Sequence, residues 1–586
     1  MTLFAPTPTQ LAAEAALAVL RDGEQVEERQ RVDLKEEAGR RGPGGTVLPG
    51  STQSQKAIDS LAPEVAWMAN TPGGGALLLG VADDSTLIGT DLDEEWVRSR
   101  LYDKLQRRVT CDVLPTEIHG TRILVIVVPE SLEPIRYDDR IKWRVADRSV
   151  EIDASTWHAR RLVGLRSDWS AEYGPHVIDD ARAGAVQIAR DFLRASGDAS
   201  AQDLADAPIP DLFRRLNAID AHGHLTNAAS LLFVGRGTPS IDYIRRDLSG
   251  GDSVARVRMD GRSLLEELTD VFSTAQAYNP VSHLATGLSR AQVRRIPERA
   301  LREAIVNGVA HREWALSEPT VVEHVGGTLT VTSPGGFVGD VDRTNIINHP
   351  SASRNTALVE LLASLRIAER EGVGVDRMYG DMLRLGCPAP DIGETAAPNV
   401  RTVLIGNNPS ASWREWLDSM SDTSVRDDLR QLMTVSRLVE QGWTDERDLA
   451  PYLQVTRAEA RDALRTLQHV RIGAKALIVE VGGTPIDSPP AFALSLPART
   501  ALRDADTATH FAREWPRRDV VALSYARARG RISSTELGDI LGASNTNVGP
   551  VLTGLEESGA LEPSRSVRRG AGFHYRPVLE EHPAKD

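Results

Sequence analysis

The first hundred residues contain three acidic residues and a lysine of the types that enzymes use to hydrolyse a phosphodiester. Asp33 and Lys35 lie two apart in a strand-like alternation, so their side chains share one face. Glu28 precedes this segment, and Asp83 follows the apolar run 76–82, which predicts a buried strand. Folded onto one face, the carboxylates could hold a hard divalent cation while the lysine offsets phosphate or transition-state charge. The alternative from spacing alone is a solvated strand edge.

The order of motifs around these residues resembles the Schlafen/AlbA-type domain. A Glu-x4-acid-x-Lys segment precedes a helix ending in Met-Ala-Asn-Thr-x-Gly-Gly, an apolar strand, Gly-Val-x-Asp-Asp and Ile-Gly-Thr. The resemblance implies that Glu28, Asp33 and Asp83 bind Mg²⁺ or Mn²⁺ and that Lys35 assists catalysis. The chain departs from the commonest form in having Asp33 where Glu is usual and an insertion at 38–55. Many bacterial relatives of this type are described as regulators, so a domain that binds nucleic acid without cutting it is the alternative.

Composition and charge exclude several classes of protein. A chain of 586 residues with 41% hydrophobic and 26% charged residues is typical of a globular protein with several domains. No apolar run is long enough to cross a membrane, and two cysteines, Cys111 and Cys387, do not make a disulfide framework or a zinc site. We therefore expect a cytoplasmic protein. A net charge of −14 argues against nucleic acid coating the whole surface, but clustered arginines allow local binding.

A second set of polar residues follows one side of a predicted helix. Pro297 stands at its start, and Glu303, Asn307 and His311 recur every four residues, which places them in one stripe. A carboxylate and a carboxamide on one face can orient a water and a magnesium ion over a nucleoside triphosphate. The alternative is a solvated helix face.

This helix and the glycine-containing turns after it resemble the GHKL, or Bergerat-fold, ATP-binding domain in a divergent form. The turns at 333–336 and 369–374 could let backbone N–H groups approach phosphate. The resemblance implies ATP as a cofactor, Glu303 as the water-activating acid and Asn307 as the magnesium-linked residue. It also implies that the nucleotide-contacting glycines are Gly335, Gly336, Gly372 and Gly374. The acid that reads adenine in other members is replaced by Ser333.

Two helical units follow, at 421–486 and 508–580, and both resemble winged-helix domains. Each has three helices and then a strand pair, an order that places the third helix for a DNA major groove. In the second unit, Asn545 and Asn547 could bond base edges. The arginines that could contact phosphates are Arg565, Arg568, Arg569 and Arg576. The alternative is a protein–protein module, and the first unit, with acids on its third helix, fits an interaction or dimerisation role.

Hydrophobic periodicity predicts the remaining elements. Residues 224–235 predict a turn and a buried strand, and residues 474–481 predict a strand pair. Arg144 is predicted to be a surface ion-pairing residue rather than a phosphate ligand. The predicted helices of the first half span 8–30, 94–107, 181–195, 211–218 and 263–277.

Together these patterns predict an α+β multidomain protein. A Schlafen/AlbA-type α/β domain at 1–160 precedes a connecting α/β region at 161–290, a GHKL-like α/β sandwich at 291–410 and two winged-helix domains. The leading hypothesis is a divalent-metal-dependent nuclease acting on RNA, tRNA or DNA, gated by the nucleotide module, with phage defence as one setting. The alternative is an ATP-responsive, DNA-binding transcriptional regulator without nuclease activity. A third hypothesis, ranked lowest, makes ATP hydrolysis the main output. We expect nucleic-acid partners, no membrane and a homodimer.

Overall fold

The computed structural model divides the chain into two compact units. The first comprises Met1–Ser167 with Val338–Asp340, and the second comprises Asp168–Phe337 with Val341–Asp586. The residues that the structure describes are 8–23, 25–26, 31–42, 46–145, 148–154, 156–157, 168–286, 289–339, 341–349, 352–368, 374–395, 399–406, 409–484, 488–509, 513–566 and 572–578. Among them, no helix has the length and apolar character needed to cross a bilayer.

The first unit is built on a four-stranded sheet. Its strands are β1 (Val32–Lys35), β2 (Gly75–Leu79), β3 (Asp112–Ile118) and β4 (Thr121–Val128). They lie in the order β1-β2-β4-β3, with β1 parallel to β2 and the other neighbours antiparallel. All of β2 is buried, as the apolar run predicts. A separate antiparallel hairpin consists of β5 (Ile141–Val145) and β6 (Arg148–Ile152).

Three helices cover the two faces of this sheet. They are α1 (Pro8–Arg21), α2 (Gln55–Asn70) and α3 (Glu94–Lys104). Alternate residues of a strand point to opposite faces, so Ala76 and Leu78 belong to the core under α1. Leu77 and Leu79 belong to the core under α2 and α3. The domain is therefore a sheet between two helical layers.

Two helices of this unit end earlier than their sequence pattern predicts. α1 ends at Arg21 rather than at residue 30, and Gly23 just beyond it adopts a φ of 71°. α3 ends at Lys104 rather than at Arg107, which has a φ of 62°. Such left-handed backbone cannot continue a right-handed helix.

The second unit contains a six-stranded mixed sheet. Its strands are β9 (Ile241–Arg246), β10 (Ser253–Val257), β13 (Thr320–Val325), β14 (Thr328–Pro334), β15 (Asp391–Thr395) and β16 (Asn399–Ile405). They lie in the order β10-β9-β13-β14-β16-β15, and β9 and β13 are the parallel pair. Smaller two-stranded pairs are β7 (Tyr173–Val177) with β8 (His224–Thr226) and β11 (Val281–Thr286) with β12 (Ser289–Arg294).

Helices surround this sheet and continue beyond it to the C-terminal units. They are α4 (Ala183–Ala195), α5 (Ala199–Asp206), α6 (Ile209–Arg215), α7 (Leu264–Ala277), α8 (Glu298–Ala310), α9 (Thr356–Ser364), α10 (Gly374–Arg384), α11 (Ala411–Asp418), α12 (Leu429–Gln441), α13 (Glu446–Leu453), α14 (Arg457–His469), α15 (Leu496–Ala508), α16 (Arg518–Arg529), α17 (Ser534–Leu541) and α18 (Asn545–Glu557). Short helical segments lie at Trp169–Ala171, Ile178–Asp180, Asn227–Ala229, Ser230–Val234 and Ser424–Asp427.

The prediction of a buried strand within 224–235 is wrong. The strand β8 stops at Thr226, whose hydroxyl accepts a hydrogen bond from the N–H of Ala229 and so starts a helical segment. The apolar residues up to Val234 continue this segment, which Gly235 ends with a φ of 99°. A short buried apolar run has no periodicity that separates a strand from a helix, and a threonine cap decides the outcome here.

The strand pair predicted at 474–481 is also wrong, because its two strands pair with other segments. The first, β18 (Lys475–Ala476), pairs with β17 (Arg471–Ile472). The second, β19 (Ile478–Glu480), pairs with β20 (Phe492–Leu494). The final pair of strands is β21 (Leu561–Pro563) with β22 (Tyr575–Pro577). Each C-terminal unit thus shows three helices followed by short antiparallel strands.

Candidate nucleic-acid and nucleotide sites

The end of α2 fixes the position of strand β5. The Asn70 amide donates to the carbonyl oxygens of Ile135 and Lys142 at 2.8 and 3.0 Å and accepts from the N–H of Ile135 at 2.7 Å. The Thr71 hydroxyl accepts from the N–H of Arg144 at 2.9 Å. The Asn-Thr pair of the sequence motif is therefore a clamp that holds alternate residues of β5, Lys142 and Arg144, beside α2.

Arg144 points its side chain at the acid of β1. Its Nη1 lies 2.8 Å from Asp33 Oδ1, and both side chains are buried, with 3% and 1% exposed. The other carboxylate oxygen, Oδ2, lies 3.0 Å from the Nζ of Lys35, whose side chain is 28% exposed. This contact confirms that Asp33 and Lys35 share one face of the strand. Arg144 is a buried partner of Asp33, so its prediction as a surface residue is wrong.

Two residues of α2 complete this site. Glu64 is half-buried, and burial raises the pKa of its carboxyl above the ordinary 4.5; Lys35, Arg144 and Lys142 pull the pKa down while Asp33 pushes it up. These effects place Glu64 within electrostatic range of all four groups. One helical turn further on, the ring of Trp67 lies 4.6 Å from the Nζ of Lys142. We call Lys35, Lys142, Arg144, Asp33 and Glu64 the cation cluster.

The predicted metal ligands do not form a metal site in the described part of the chain. Both oxygens of Asp33 already contact cations, and Asp83 is exposed in a turn after β2. Glu28 lies outside the described residues. Among those described, no group of three or more His, Cys, Asp or Glu side chains could hold a metal ion. A carboxylate shared by a guanidinium and an ammonium does not suit a divalent cation, so Asp33, in the arrangement that the described residues show, does not fit Mg²⁺ or Mn²⁺.

Sequence reasoning missed Glu64, Trp67 and Lys142. Two signals could have found them: the spacing of three between Glu64 and Trp67 on a helix, and the alternation of Lys142 with Arg144 on a strand. The contact between helix and strand depends on the clamp at Asn70, which no local pattern encodes.

In the second unit, helix α8 lies unusually close to strand β14. A Cβ at Gly308 would stand 2.6 Å from Val331 Cγ1, so only glycine permits this approach. The Gly308 carbonyl accepts hydrogen bonds from the hydroxyls of Thr320 at 3.0 Å and Ser333 at 2.7 Å. Ser333 stands where the resemblance expects an adenine-reading acid, and its side chain instead ties the helix to the sheet.

The structure brings together three of the predicted nucleotide-site residues. Glu303 is 2% exposed, and a Cβ at Gly374 would lie 2.5 Å from its Oε2 and 3.6 Å from the Nδ2 of Asn307. Gly374 is the first residue of α10, whose N-terminal end favours negative charge. The Nη2 of Arg302 lies 3.8 Å from the other oxygen of Glu303. Gly372 lies outside the described residues.

The other two predicted glycines contact protein side chains. A Cβ at Gly335 would meet Glu313 at 2.8 Å and Arg354 at 2.9 Å, and one at Gly336 would meet Glu394 at 2.5 Å. Arg354 Nη1 lies 3.1 Å from Glu313, and its Nη2 donates to the Gly336 carbonyl at 2.5 Å. Nearby His311 has its pKa lowered to about 4 by burial and by Arg354, so it is neutral at physiological pH.

A segment beyond these glycines is joined to the first C-terminal helical unit. The Gln454 amide accepts from the N–H of Ile347 at 2.8 Å and donates to the Arg343 carbonyl at 3.0 Å. The Asn348 amide donates to the carbonyls of Leu453 and Gln454, each at 2.9 Å. Arg343 also lies 2.8 Å from Asp391 of β15, so residues 343–348 link the six-stranded sheet to the end of α13.

The two C-terminal helical units share a hydrophobic core. Trp443 packs edge-on against Tyr525 at 4.9 Å and donates to the Ser524 hydroxyl at 3.1 Å. Arg529 and Asp445 form a buried ion pair between the units. The two units therefore pack together through buried side chains, and we call them the C-terminal tandem.

The predicted DNA-contacting residues of the second helical unit lie on its surface. Asn545 and Asn547 are exposed at the start of α18, and Arg565 and Arg576 are exposed beside and on the final strand pair. Arg568 and Arg569 fall outside the described residues.

Comparison with known proteins identifies two segments of the chain. Residues 28–153 match the family described as Schlafen, AlbA_2, and residues 321–404 match the family described as putative ATP-dependent DNA helicase recG C-terminal. The crystal structure of the DIP2311 protein from Corynebacterium diphtheriae is similar over 97% of this chain and 99% of its own, with 29% identity and a TM-score of 0.58. No curated protein has a significant match. The predicted α+β multidomain fold is confirmed, and the chain carries a Schlafen AlbA_2 domain followed by an ATPase-like domain of the recG C-terminal type.

Proposed function

We propose that this protein is a nucleic-acid-binding regulator whose Schlafen/AlbA-type domain holds a phosphate backbone at the cation cluster without cutting it. The observation that carries the proposal is the double ion pair of Asp33, with Arg144 at 2.8 Å and Lys35 at 3.0 Å. The carboxylate holds the two cations side by side, which is the arrangement that a phosphodiester oxygen needs.

Arg144 adds positive charge to the same site. Its Nε and Nη2 groups are buried and have no hydrogen-bond partner among the described residues. Because these atoms are closed to solvent, the guanidinium acts on a bound phosphate through its charge. Lys35 and Lys142 are partly exposed and add positive charge at the same place.

The C-terminal tandem supplies a second nucleic-acid contact in this proposal. Asn545 and Asn547 open α18 on an exposed surface, and amides at that position suit base edges in a major groove. Arg565 and Arg576 suit phosphates. The link between residues 343–348 and Gln454 gives a nucleotide bound at the ATPase-like domain a physical route to this tandem.

The test is a binding assay on the full chain with labelled single-stranded RNA, single-stranded DNA and duplex DNA, first in EDTA and then with Mg²⁺ or Mn²⁺. We expect binding in EDTA, and Lys35→Met should weaken the binding of single strands about tenfold and lower the salt slope by roughly 0.7. Lys104→Met is the matched control, because Lys104 belongs to a separate surface ion pair with Asp59. Undiminished binding by Lys35→Met would contradict the proposal.

A nuclease is the second candidate, and the observation that favours it is that the Schlafen match begins at Glu28, the first predicted acid. The same assay separates the two functions. Metal-dependent cleavage that disappears in Glu28→Ala would replace the regulator with the nuclease. A labelled strand that remains intact in EDTA, Mg²⁺ and Mn²⁺ would support binding without cleavage.

A further inference from the structure

The cation cluster borders an aromatic ring that phosphate binding does not use. Trp67 follows Glu64 by three residues on α2, so the two side chains lie on one face of the helix. Lys142 precedes Arg144 by two residues on β5, so these side chains also share a face. The 4.6 Å contact between Lys142 Nζ and the Trp67 ring joins the two faces.

The position of Trp67 differs from that of an ordinary core residue. Its ring packs against the core beneath α2 and α3, yet the side chain remains partly exposed. Its Nε1 is buried and has no hydrogen-bond partner among the described residues, although a buried indole N–H usually finds one. The ring lies under the ammonium group of Lys142, which sits on a flexible four-carbon stem and can move away from the ring at little cost.

We propose that Trp67 and Lys142 form a base-stacking subsite beside the cation cluster, so that the Schlafen/AlbA-type domain takes an unpaired nucleotide of a single strand or loop. An entering base would replace Lys142 on the ring, and the released ammonium would pair with the adjoining phosphate. The bases of a regular duplex stack on one another and offer no free face, so duplex is a poor ligand for this subsite. This inference rests on the nucleic-acid binding proposed above and adds the class of substrate.

Trp96 provides a matched control on the neighbouring helix. It is also partly exposed, packs against the same core and lies under a cation, with Arg100 at 5.9 Å from its ring. It lies on α3, which contributes no member of the cation cluster. A general loss of core packing should therefore appear in both variants, whereas a loss of stacking should appear only at Trp67.

The experiment measures binding of fluorescently labelled oligothymidylate and oligouridylate, about twelve nucleotides long, and of a duplex of equal length. We expect Trp67→Ala to weaken single-strand binding about tenfold and to leave duplex binding unchanged. Trp67→Phe should retain part of the affinity, and Trp96→Ala should bind like the wild type. Equal weakening of single strand and duplex, or no change in either, would overturn the subsite.

A second readout covers the case in which Trp67→Ala fails to fold. Unlabelled oligothymidylate should quench part of the tryptophan fluorescence of the wild type and of Trp96→Phe, and this part should be missing in Trp67→Phe. Quenching that persists in Trp67→Phe would overturn the subsite. If the wild type binds no nucleic acid, the proposed function and this inference are both wrong. If the wild type binds nucleic acid and the Trp67 variants bind it equally well, only this inference is wrong.

Discussion

Asp33 in the first unit and Glu303 in the second are both buried acids that the sequence marks as candidates for work at phosphate, but their surroundings differ. Asp33 contacts two cations, Arg144 and Lys35, at hydrogen-bonding distance. Glu303 has an arginine at 3.8 Å and lies against Gly374 at the start of α10. The first acid therefore organises cations that a ligand can use, whereas the second interacts with a helix end that favours anions.

The difference shows that a carboxylate in a motif does not by itself define a metal ligand. Its electrostatic partners decide which role the residue can take. A carboxylate that is paired with two cationic side chains is a poor ligand for a divalent ion, but it positions those two side chains. A carboxylate at a helix N-terminus occupies a place where a phosphate could also be stabilised.

The largest expected effect is a difference in the unfolding free energy lost when each of the two acids is replaced by alanine. Asp33→Ala leaves Arg144 buried without its anion, which should cost about 3–5 kcal/mol of unfolding free energy in the first unit. Glu303→Ala should cost only about 1–2 kcal/mol in the second, because a helix end stabilises a charge weakly. Hydrogen exchange resolved to β1 and α10 measures both. Equal losses would remove the contrast, and Asp33→Ala combined with Arg144→Met should recover part of the first loss.

The close approach at Glu303 predicts the next effect. Gly374→Ala places a Cβ within 2.5 Å of Glu303 Oε2, so α10 or the glutamate must shift, at a cost of about 1–3 kcal/mol. Thermal unfolding of the full chain measures the cost.

A control for this substitution comes from Gly554, in the last turn of α18, where an added Cβ meets nothing within 4 Å. Gly554→Ala should stabilise its helix by about 0.5–1 kcal/mol. Glu303→Ala should relieve most of the penalty of Gly374→Ala, since the clashing atoms are gone. A full penalty in that double variant would contradict the geometry.

The cation cluster predicts a dependence of binding on pH. The pKa of Glu64 is raised by burial, so lowering the pH through that value removes a negative charge beside Lys35, Lys142 and Arg144. Single-strand affinity should therefore rise on acidification, by about fivefold or less for one charge in a solvated site. The folding stability of the first unit changes in the same direction. The protonated Glu64 carboxyl suits its buried site, and this stability is lost as the pH rises through the raised pKa of Glu64.

Glu64→Gln tests this pH dependence by titration of binding. The variant should bind at neutral pH as the wild type binds in acid, and its affinity should lose the rise on acidification. An unchanged pH profile in Glu64→Gln would show that another group is responsible.

The smallest expected effect concerns the C-terminal tandem. Arg576→Ala should lower the salt slope of duplex binding by roughly 0.9 and leave single-strand binding unchanged. Arg465→Ala, in the third helix of the first helical unit, is the control and should alter neither slope. An equal change in both variants would indicate that general charge, rather than a contact at the second unit, governs duplex binding.

Local sequence pattern was sufficient for the buried strand β2 and for the shared face of Asp33 and Lys35. It was insufficient for Arg144, because the strand that carries this residue reaches β1 only through the clamp of Asn70 and Thr71 on the end of α2. It was likewise insufficient at Thr226, where one side-chain cap turns a buried apolar run into helix. A contact between distant segments fixes the position of Arg144, and a local side-chain cap fixes the structure after Thr226. Periodicity reveals neither.

The most direct test of the account is the affinity of the wild-type chain for one labelled single strand, measured first in EDTA and again in Mn²⁺. Phosphate binding by Lys35 and Arg144 predicts similar affinity in both conditions and a strand that remains intact. Binding that requires Mn²⁺, or a strand that is cut when Mn²⁺ is added, would contradict it and would place a metal at the acids of the Schlafen/AlbA-type domain.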